Sequence, residues 1–554
     1  MNIEQIYKKA ESNSPHLVAP DYIKISISSL SDNTATPVIY GSLQDEIFKQ
    51  GFKAQVIITG SSGYYDLEPI LLVEKPGQYA LLFKNVNEIK ASRILHQCLE
   101  DRVSQNDSIV CNFGPNNLEG IPDASDIPLF NLQRRISLRN CGLLNPKDIN
   151  QYILRDNGYR GLAECLKLDS VGIIEELNNS ELRGRGGAGF NTAQKWQICR
   201  DTAGCEKYVI CNAIDADPHA FTARLLLESD PHSVLEGILI GAFAVGATRC
   251  FICLNDDYPA AFDVLNTALQ QMRAYNLLGT GILDSAFNCE IELKTMPRLL
   301  VSGEETALLS RLMGKQPMPY LRTHYPATRG YLDKPTLINN AETFSNVSAI
   351  FQEGANWFAG TGTEKSKGTK IISLAGETAH KYTIEVPFGT TLRNIVSDIS
   401  AIPEGKNLKA VQFGGPTGAF YDTGSLDIPI DYETFKDSGS IMGSGTLKII
   451  TEDSCAVAMT KDIISYLQTQ SCGKCVFCRE GTYQMFDILK DIETTGGKTP
   501  DIDLLVELGE VMKVGSICAL GKTAPGLVLS SLKCFRRDFD LHIKEGKCPY
   551  KLEM

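Results

Sequence analysis

The stretch Ser471-Cys472-Gly473-Lys474-Cys475-Val476-Phe477-Cys478-Arg479-Glu480-Gly481 carries three evenly spaced cysteines, and a fourth, Cys518, stands 40 residues further on. Three thiolates at Cys-x2-Cys-x2-Cys spacing can wrap one face of an inorganic cube while a remote fourth closes the other, which is the ligation a [4Fe–4S] cluster needs. Zinc and a disulfide are the competing readings. Structural zinc sites bring two separated ligand pairs rather than three even thiols and one remote one. The turn Gly515-Ser516-Ile517-Cys518-Ala519-Leu520-Gly521 is built of small residues, which let backbone N–H groups approach cluster sulfurs. From Ala524 the chain reads as a helix through His542, with Cys534 on it as an apolar filler. Cys548-Pro549 in the tail is assigned no cluster.

At 554 residues the chain is too long for one core, and three to four domains are expected. Hydrophobic content of 43% and charged content of 22% are those of a globular protein. A net charge of −12 argues against a nucleic-acid partner, which would want a concentrated basic face. Residues 1–20 have no apolar core and no small-residue cleavage site, so they do not read as a signal peptide. The longest apolar run, Gly237 to Ala247, is shorter than the ~20 residues a membrane span needs. Seventeen cysteines then call for reduced thiols and metal, and a cytoplasmic location without membrane insertion is expected.

Residues 22 to about 110 alternate short strands (23–27, 54–58, 70–73, 79–83) with helices (43–50, 86–100). This βαβββα order suggests a small thioredoxin-like domain. Residues 111–150 read as a linker and wrap that ends in the basic run 134–141. Then Leu182-Arg183-Gly184-Arg185-Gly186-Gly187-Ala188-Gly189-Phe190 leads into a helix over 192–199. Glycines let backbone amides close on a phosphate, and the following helix N-terminus favours its charge; a plain tight turn is the bland alternative.

Strands at 207–211, 250–254 and 290–294 give a doubly wound pattern, so the polar residues after the first of them, Asn212 to His219, face a pocket at a strand's carboxyl end. Cys250 and Cys253 are spaced like a metal pair, yet residues i and i+3 of a strand point to opposite faces, which makes them core. Ser302-Gly303-Glu304-Glu305-Thr306 and the run Thr336 to Thr343 each read as a helix start, where free amide donors could hold phosphate or polyol oxygens or simply be capped. Residues 368 to about 450 read as a β-rich module with strands at 370–374, 382–386, 410–413 and 446–450.

The glycine loop, Gly-Glu-Glu-Thr, Asn-Asn-x-Glu-Thr and Ser-Cys-Gly-x-Cys-x-x-Cys-Arg-Glu-Gly, in this order, resemble the NADH-dehydrogenase flavoprotein subunit family. That family includes the 51-kDa subunit of respiratory complex I and its relatives in NAD-linked hydrogenases, formate dehydrogenases and electron-bifurcating complexes. The resemblance implies a multidomain α/β chain. Residues 1–110 would be a degenerate thioredoxin-like domain, 111–150 a linker and wrap, and 151–367 a Rossmann-like FMN- and dinucleotide-binding domain. A β-grasp, ubiquitin-like domain would follow over 368–452, and a helical bundle over 453–554 would carry one [4Fe–4S] cluster on Cys472, Cys475, Cys478 and Cys518. FMN would contact Gly184, Gly186, Lys195, Asn212, Gly303, Glu304, Asn339, Asn340 and Thr343. NAD(H) would lie against Phe190, Asp215, Asp217, Glu305, Arg322 and Tyr325, with Phe190 and Tyr325 able to stack an adenine. No catalytic group beyond FMN itself is implied.

In relatives the N-terminal module holds a [2Fe–2S] cluster on four cysteines. Here Thr59-Gly60-Ser61-Ser62-Gly63-Tyr64-Tyr65 offers hydroxyls instead, and Cys98 is the one cysteine before residue 111, so that cluster is not expected and the module reads as a docking surface. Where the family has Asn-Ala-Asp-Glu-x-Glu-Pro-Gly, this chain has Asn212-Ala213-Ile214-Asp215-Ala216-Asp217-Pro218-His219. Ile214 removes a carboxylate from the flavin side, and His219 adds a ring where a dinucleotide would pass. The leading reading is an enzyme subunit that moves electrons between NAD(H) and a cluster relay through FMN and one [4Fe–4S]. Its partners would be other iron–sulfur subunits, including a thioredoxin-like [2Fe–2S] one. The alternatives are an FMN/[4Fe–4S] relay or bifurcating module with weakened NAD(H) binding, and a structural paralogue that binds neither flavin nor nucleotide.

Overall fold

Three β-sheets and then a set of helices follow one another along the chain in a computed structural model that describes residues 1–550 apart from 18–21, 31, 101, 104–106, 117, 205, 401, 547 and 549. Pro549 of the tail pair therefore lies outside the described residues.

The first sheet comprises β1 (Ile23–Ser28), β2 (Ala54–Thr59), β3 (Ile70–Lys75), β4 (Tyr79–Phe83) and β5 (Ile109–Asn112), in the order β2-β1-β3-β4-β5. β1 and β2 are parallel and the other neighbours antiparallel. Ile23, Ile25 and Ile27 point to one face, which is covered by helices Ala35–Gln50 and Glu88–Leu99. Ile70, Leu72 and Leu82 point to the other and join the core of the third sheet. Burial on both faces explains why β3 opens on the unbroken apolar run Ile70–Val73 instead of alternating. The expected strands are present. The helix expected over 43–50 begins eight residues earlier, at Ala35, and β5 was read as linker. Helix Ile3–Asn13, closed by a capping box between Asn2 and Gln5, buries Ile6, Tyr7 and Ala10 in the core of the second sheet, where it packs on helix Ile149–Arg155.

The second sheet is wholly parallel: β6 (Tyr208–Ala213), β7 (Arg249–Asn255), β8 (Glu290–Met296) and β9 (Thr336–Asn340), in the order β8-β7-β6-β9. The chain steps outward from β6 to β8 and then returns to the far side of β6, so the carboxyl ends of β6 and β9 flank a topological switch point, the place where open α/β sheets form a ligand crevice. Residues 336–340, expected as the approach to a helix, are the fourth strand, and Asn340 caps the helix Ala341–Glu353 that follows. Helix Pro231–Val245 is buried almost all round, which accounts for the apolar run at 237–247. Cys250 and Cys253 enter different cores on opposite faces of the sheet.

The third sheet has β10 (Thr369–Gly376), β11 (Thr383–Pro387), β12 (Leu408–Phe413), β13 (Ala419–Asp422) and β14 (Thr446–Thr451), in the order β11-β10-β14-β12-β13, with only β10 and β14 parallel. The basic run before residue 141 is pinned to it. Glu385 on β11 is fully buried and its carboxylate accepts from the N–H groups of Ile136 (3.0 Å), Ser137 (2.9 Å) and Leu138 (2.8 Å). Successive amides converging on one carboxylate form an anion nest, which is why so acidic a group is tolerated at no exposure.

Helices Ala456–Gln470, Val476–Thr495, Pro500–Gly515, Ala519–Cys534 and Arg536–Glu545 pack around Ile464, Leu467, Met485, Leu489, Leu505 and Leu527. The single helix expected from 524 through 542 is two. The first starts at Ala519, after the extended Cys518, and it breaks at Phe535, whose backbone leaves the helical region (φ −126°, ψ 30°) as its ring packs edge-on against Phe420. Cys534 packs beside this core and its thiol donates to the Phe420 carbonyl. Among the described residues no helix is long and apolar enough to cross a membrane.

Candidate functional site

Two helix starts help gather the four cysteines: Cys475 immediately precedes helix Val476–Thr495 and Cys518 helix Ala519–Cys534, and with Cys472 and Cys478 they line one cavity walled by Val301, Pro319, Ile517 and Leu520. The backbone amides of Leu520 and Gly521 lie near the Cys518 sulfur without making a capping hydrogen bond to it. Ser471 Oγ lies 3.4 Å from Cys478 Sγ. A Cβ at Gly521 would stand 2.5 Å from Ser516 Oγ and 2.9 Å from the Cys478 Cβ, so only glycine lets this backbone come so close. Ser516 Oγ is buried without a hydrogen-bond partner in the protein, a donor left beside the sulfurs. Burial pushes the Cys478 thiol up to about 11, against the Ser471 contact, and raises Cys518, against its amide contacts. Metal binding would favour the thiolate forms of both.

Sulfurs sharing one tetrahedral zinc lie only about 3.7 Å apart, given a Zn–S bond of about 2.3 Å. Among the described residues, the group of three potential ligands drawn within 4.8 Å of one another is elsewhere, at Cys455, His542 and Cys548. The cavity's thiols form no such tight group among the described residues, and their three-plus-one pattern fits [4Fe–4S].

The crevice at the switch point is built mainly from backbone. Asn212 and Asn340 are register partners at the ends of β6 and β9. Asn212 Nδ2 donates to the Gly303 carbonyl (3.0 Å), Asn339 Oδ1 accepts from Trp196 Nε1 (3.1 Å), and Asn340 Oδ1 accepts from Thr343 N (3.1 Å). Thr343 Oγ1 in turn accepts from Arg185 N (2.9 Å), which ties the glycine loop to the cap of helix Ala341–Glu353.

The loop's glycines divide between two tasks. A Cβ at Gly184 would meet only the Phe190 carbonyl at 3.5 Å, and one at Gly186 would come no closer than 3.9 Å to Asn340, so both face open space. Gly187 (φ +103°) and Gly189 (φ +62°) are instead pressed on Gly443 and Tyr432. Arg185 is buried and donates to the carbonyls of Arg183 and Lys367, while Arg183 pairs with Glu433 at 2.6 Å. Both loop arginines are therefore engaged within the protein.

Lys195, one turn beyond the loop, reaches Glu305 (2.8 Å) and the Ile338 carbonyl (3.0 Å). Glu304 caps helix Glu305–Leu312 through Thr306 N (2.8 Å) and Ala307 N (3.0 Å) and pairs with Arg322, which also lies 3.7 Å from Glu305. Phe190 (41% exposed) and Tyr325 (63% exposed) present free rings, with Phe190 6.0 Å from the Lys195 ammonium. Phe190, Lys195, Glu305, Arg322 and Tyr325 thus share one rim.

Asp215 and Asp217 do not join that rim. Asp217 is 3% exposed and its carboxylate accepts from Ser444 Oγ (2.5 Å), Thr446 Oγ1 (2.7 Å) and His219 N (2.9 Å), stitching the loop after β6 to the third sheet. Asp215 sits at positive φ (+44°), accepts from Arg224 N (3.0 Å), and is raised to about 6 by burial. Arg298 holds the same loop through the carbonyls of Asp215 (3.2 Å) and Asp217 (2.9 Å). Its place in Met296-Pro297-Arg298 gave no signal of this. His219 is exposed.

The pieces fit FMN: two glycines without neighbours at Cβ, helix N-termini at 192, 305 and 341, and the buried hydroxyls of Thr192 and Ser302, which have no partner within the protein. A flavin-binding α/β crevice joined to a four-thiol helical module defines a class of redox subunit. Comparison with known proteins agrees: residues 177–349 match the Nuo51 FMN-binding domain, and residues 458–542 the NADH-ubiquinone oxidoreductase-F iron–sulfur binding region.

The NADP-reducing hydrogenase subunit HndC of Solidesulfovibrio fructosivorans is 43% identical over 418 residues, covering 75% of this chain and 85% of its own length. An NADH-quinone oxidoreductase subunit of Rhizobium meliloti (strain 1021) is 36% identical over 395 residues, covering 71% and 94%. The chain belongs to this family of NADH-dehydrogenase flavoprotein subunits. A crystal structure of NAD+-reducing [NiFe]-hydrogenase in the H2-reduced state shares the fold across 98% of this chain and 90% of that one, with a TM-score of 0.66 at 23% identity. The protein is an FMN- and [4Fe–4S]-containing electron-transfer subunit of an oxidoreductase, and its relatives are subunits of multisubunit complexes.

Proposed function

We propose that FMN lies in the crevice outside β6 and β9 and that a nicotinamide dinucleotide enters over the rim formed by Phe190, Glu305, Arg322 and Tyr325. The observation that carries this reading is the pair of open-faced glycines, Gly184 and Gly186, the second set across from Asn340 at the end of β9. FMN held there would supply the conversion of a hydride into single electrons, and Cys472, Cys475, Cys478 and Cys518 would hold the one-electron cluster beside it. Lys195 gives the flavin phosphate its positive partner, held at its station by Glu305 and the Ile338 carbonyl. Asn212, Gly303, Glu304, Asn339 and Thr343 order the remaining flavin contacts. Phe190 and Tyr325 stack the adenine, and Arg322, aimed by Glu304, meets the dinucleotide's charge. Asp215 and Asp217 serve the loop's shape instead.

The strand order β2-β1-β3-β4 with its two covering helices supports a thioredoxin-like module at the N-terminus, lacking thiols for a cluster. The order β11-β10-β14-β12-β13, parallel only at its centre, supports a β-grasp module. Boundaries near 367 and 452 fall between elements, while those near 110 and 150 fall inside β5 and helix Ile149–Arg155, so the first module extends through β5. The partners are iron–sulfur subunits, among them a thioredoxin-like [2Fe–2S] protein, in a cytoplasmic complex. One relative's name specifies NADP and another's NADH, so the nucleotide is the point to test. Anaerobic titration of the flavin-loaded chain with NADH and with NADPH should bleach the flavin absorbance with one of them. Bleaching by neither, with flavin present, would replace this reading with a relay that exchanges electrons only with proteins.

A further inference from the structure

The turn that carries the first two hairpin cysteines also holds the segment that leads to the rim. Lys474 stands between Cys472 and Cys475, and its ammonium donates to the Pro319 carbonyl (2.9 Å). Pro319 is buried and walls the cysteine cavity, and the chain runs on from it to Arg322 and Tyr325 of the rim. We propose, resting on the nucleotide rim assigned above, that Lys474 is a positioning residue: a strut through which the cysteine hairpin sets segment 316–325 for the nicotinamide dinucleotide.

This segment has little else to hold it. It lies in no helix or strand, Pro317 and Pro319 remove two backbone donors, and Leu321 and Tyr325 are exposed. Among the described residues, the backbone of 316–324 reaches the rest of the protein at three successive positions. The Met318 carbonyl accepts from Ser310 Oγ (3.2 Å), the Pro319 carbonyl accepts from Lys474, and Tyr320 N donates to Thr306 Oγ1 (3.2 Å). Ser310 and Thr306 belong to helix Glu305–Leu312, so of the three anchors Lys474 is the one that comes from the cysteine hairpin. A charged donor on a carbonyl is stronger than the neutral pairs beside it. The strut's base is also stiff: Gly473 sits at positive φ (+73°) with its carbonyl held by Arg479 Nη1 (2.7 Å), and a bound cluster would fix the cysteines on either side of Lys474.

The flavin side is fastened separately. Gln470 Oε1 accepts from Leu300 N (2.8 Å) at the start of the turn Leu300–Gly303, and the Gly303 carbonyl of that turn takes the Asn212 amide. Loss of the lysine should therefore weaken the nucleotide and leave the flavin in place. A contact that only positions the rim acts on binding and not on the limiting rate.

Anaerobic stopped-flow reduction of the flavin, with whichever of NADH and NADPH bleaches the unmodified protein, gives a half-saturating concentration and a limiting rate. Lys474→Met should raise the concentration about five- to tenfold and keep the rate within about twofold, with iron and flavin content unchanged. Lys474→Arg, which keeps a charged donor, should restore the concentration toward wild type. Hydrogen exchange over residues 320–325, measured without nucleotide, should be faster in Lys474→Met than in the parent and normal in Lys474→Arg. An unmoved concentration, unmoved exchange, a change confined to the limiting rate, or an arginine variant as weak as the methionine one overturns the strut. If Lys474→Met loses its iron, the unmodified protein decides: removing its iron with a chelator frees the hairpin and should speed exchange over 320–325, and exchange that stays put overturns the proposal. Bleaching of the unmodified protein by neither nucleotide would overturn the rim itself, whereas normal bleaching there with no change in Lys474→Met overturns the strut and leaves the rim standing.

Discussion

The loop at 59–65 and the hairpin at 471–478 are both glycine-containing turns dense in small polar side chains, and the chain uses them in opposite ways. In the hairpin the sulfurs of Cys472, Cys475 and Cys478 turn toward a common cavity with Cys518. In the N-terminal loop the polar groups turn to other parts of the same protein. Ser61 Oγ bonds the Glu68 carboxylate, and the Ser61 carbonyl accepts from Ser229 (3.0 Å). The Ser62 carbonyl accepts from Arg135 (3.0 Å), and the Gly63 carbonyl from Thr383 N (2.8 Å). Gly60 lies so close to the second sheet's domain that a Cβ there would stand 2.4 Å from Ser229. The loop at 59–65 is thus an intramolecular seam held mainly through its backbone carbonyls.

Removing a thiol from the hairpin site should have the largest effect. Cys518→Ala should abolish the cluster, taking iron from about four per chain to near zero, while flavin remains, as iron analysis and the flavin spectrum would show. Cluster retention would mean that the ligand set is wrong. Lys195→Ala should weaken FMN by about 1.5–3 kcal/mol, roughly ten- to a hundredfold, through loss of a charge-assisted contact. Flavin occupancy after dialysis is the readout, and unchanged occupancy would move the phosphate elsewhere.

At the seam, Gly60→Ala should cost roughly 1–3 kcal/mol by overpacking against Ser229 and lower the unfolding midpoint without touching iron or flavin. A variant as stable as the parent would show that the seam is loose. The remaining effect is electrostatic and depends on pH. Burial raises Glu68 from 4.5 to about 7, so the folded state binds its proton more tightly than the unfolded one. The resulting stability is fully present below pH 4.5 and is lost as pH rises through 7. Glu68→Gln, neutral throughout, should therefore gain on wild type in thermal melts as pH climbs across that window. Parallel curves would contradict it.

What could be read in the sequence follows the same division. Sites made of side chains were legible, because cysteine spacing and the opposite faces of Cys250 and Cys253 are fixed by local geometry. The first sheet's strands were legible from their apolar runs. Strand β9 was not: Asn339-Asn340-Ala341-Glu342-Thr343 is a strong cap signal, and it hid the short strand before it. The helix break at Phe535 falls where its ring packs on Phe420, which is distant in sequence. Asp217 looked like a nucleotide contact because the loop's pattern resembles the family's. Its partners Ser444 and Thr446, on a different sheet, are visible only once the chain is folded.

Iron and acid-labile sulfide analysis of the whole chain, with electron paramagnetic resonance after reduction, tests the contrast between the two loops most directly. About four irons and the signal of a single [4Fe–4S] cluster are expected. A [2Fe–2S] signal from this chain alone would show that the N-terminal loop still assembles a cluster without thiolates, and would contradict the account.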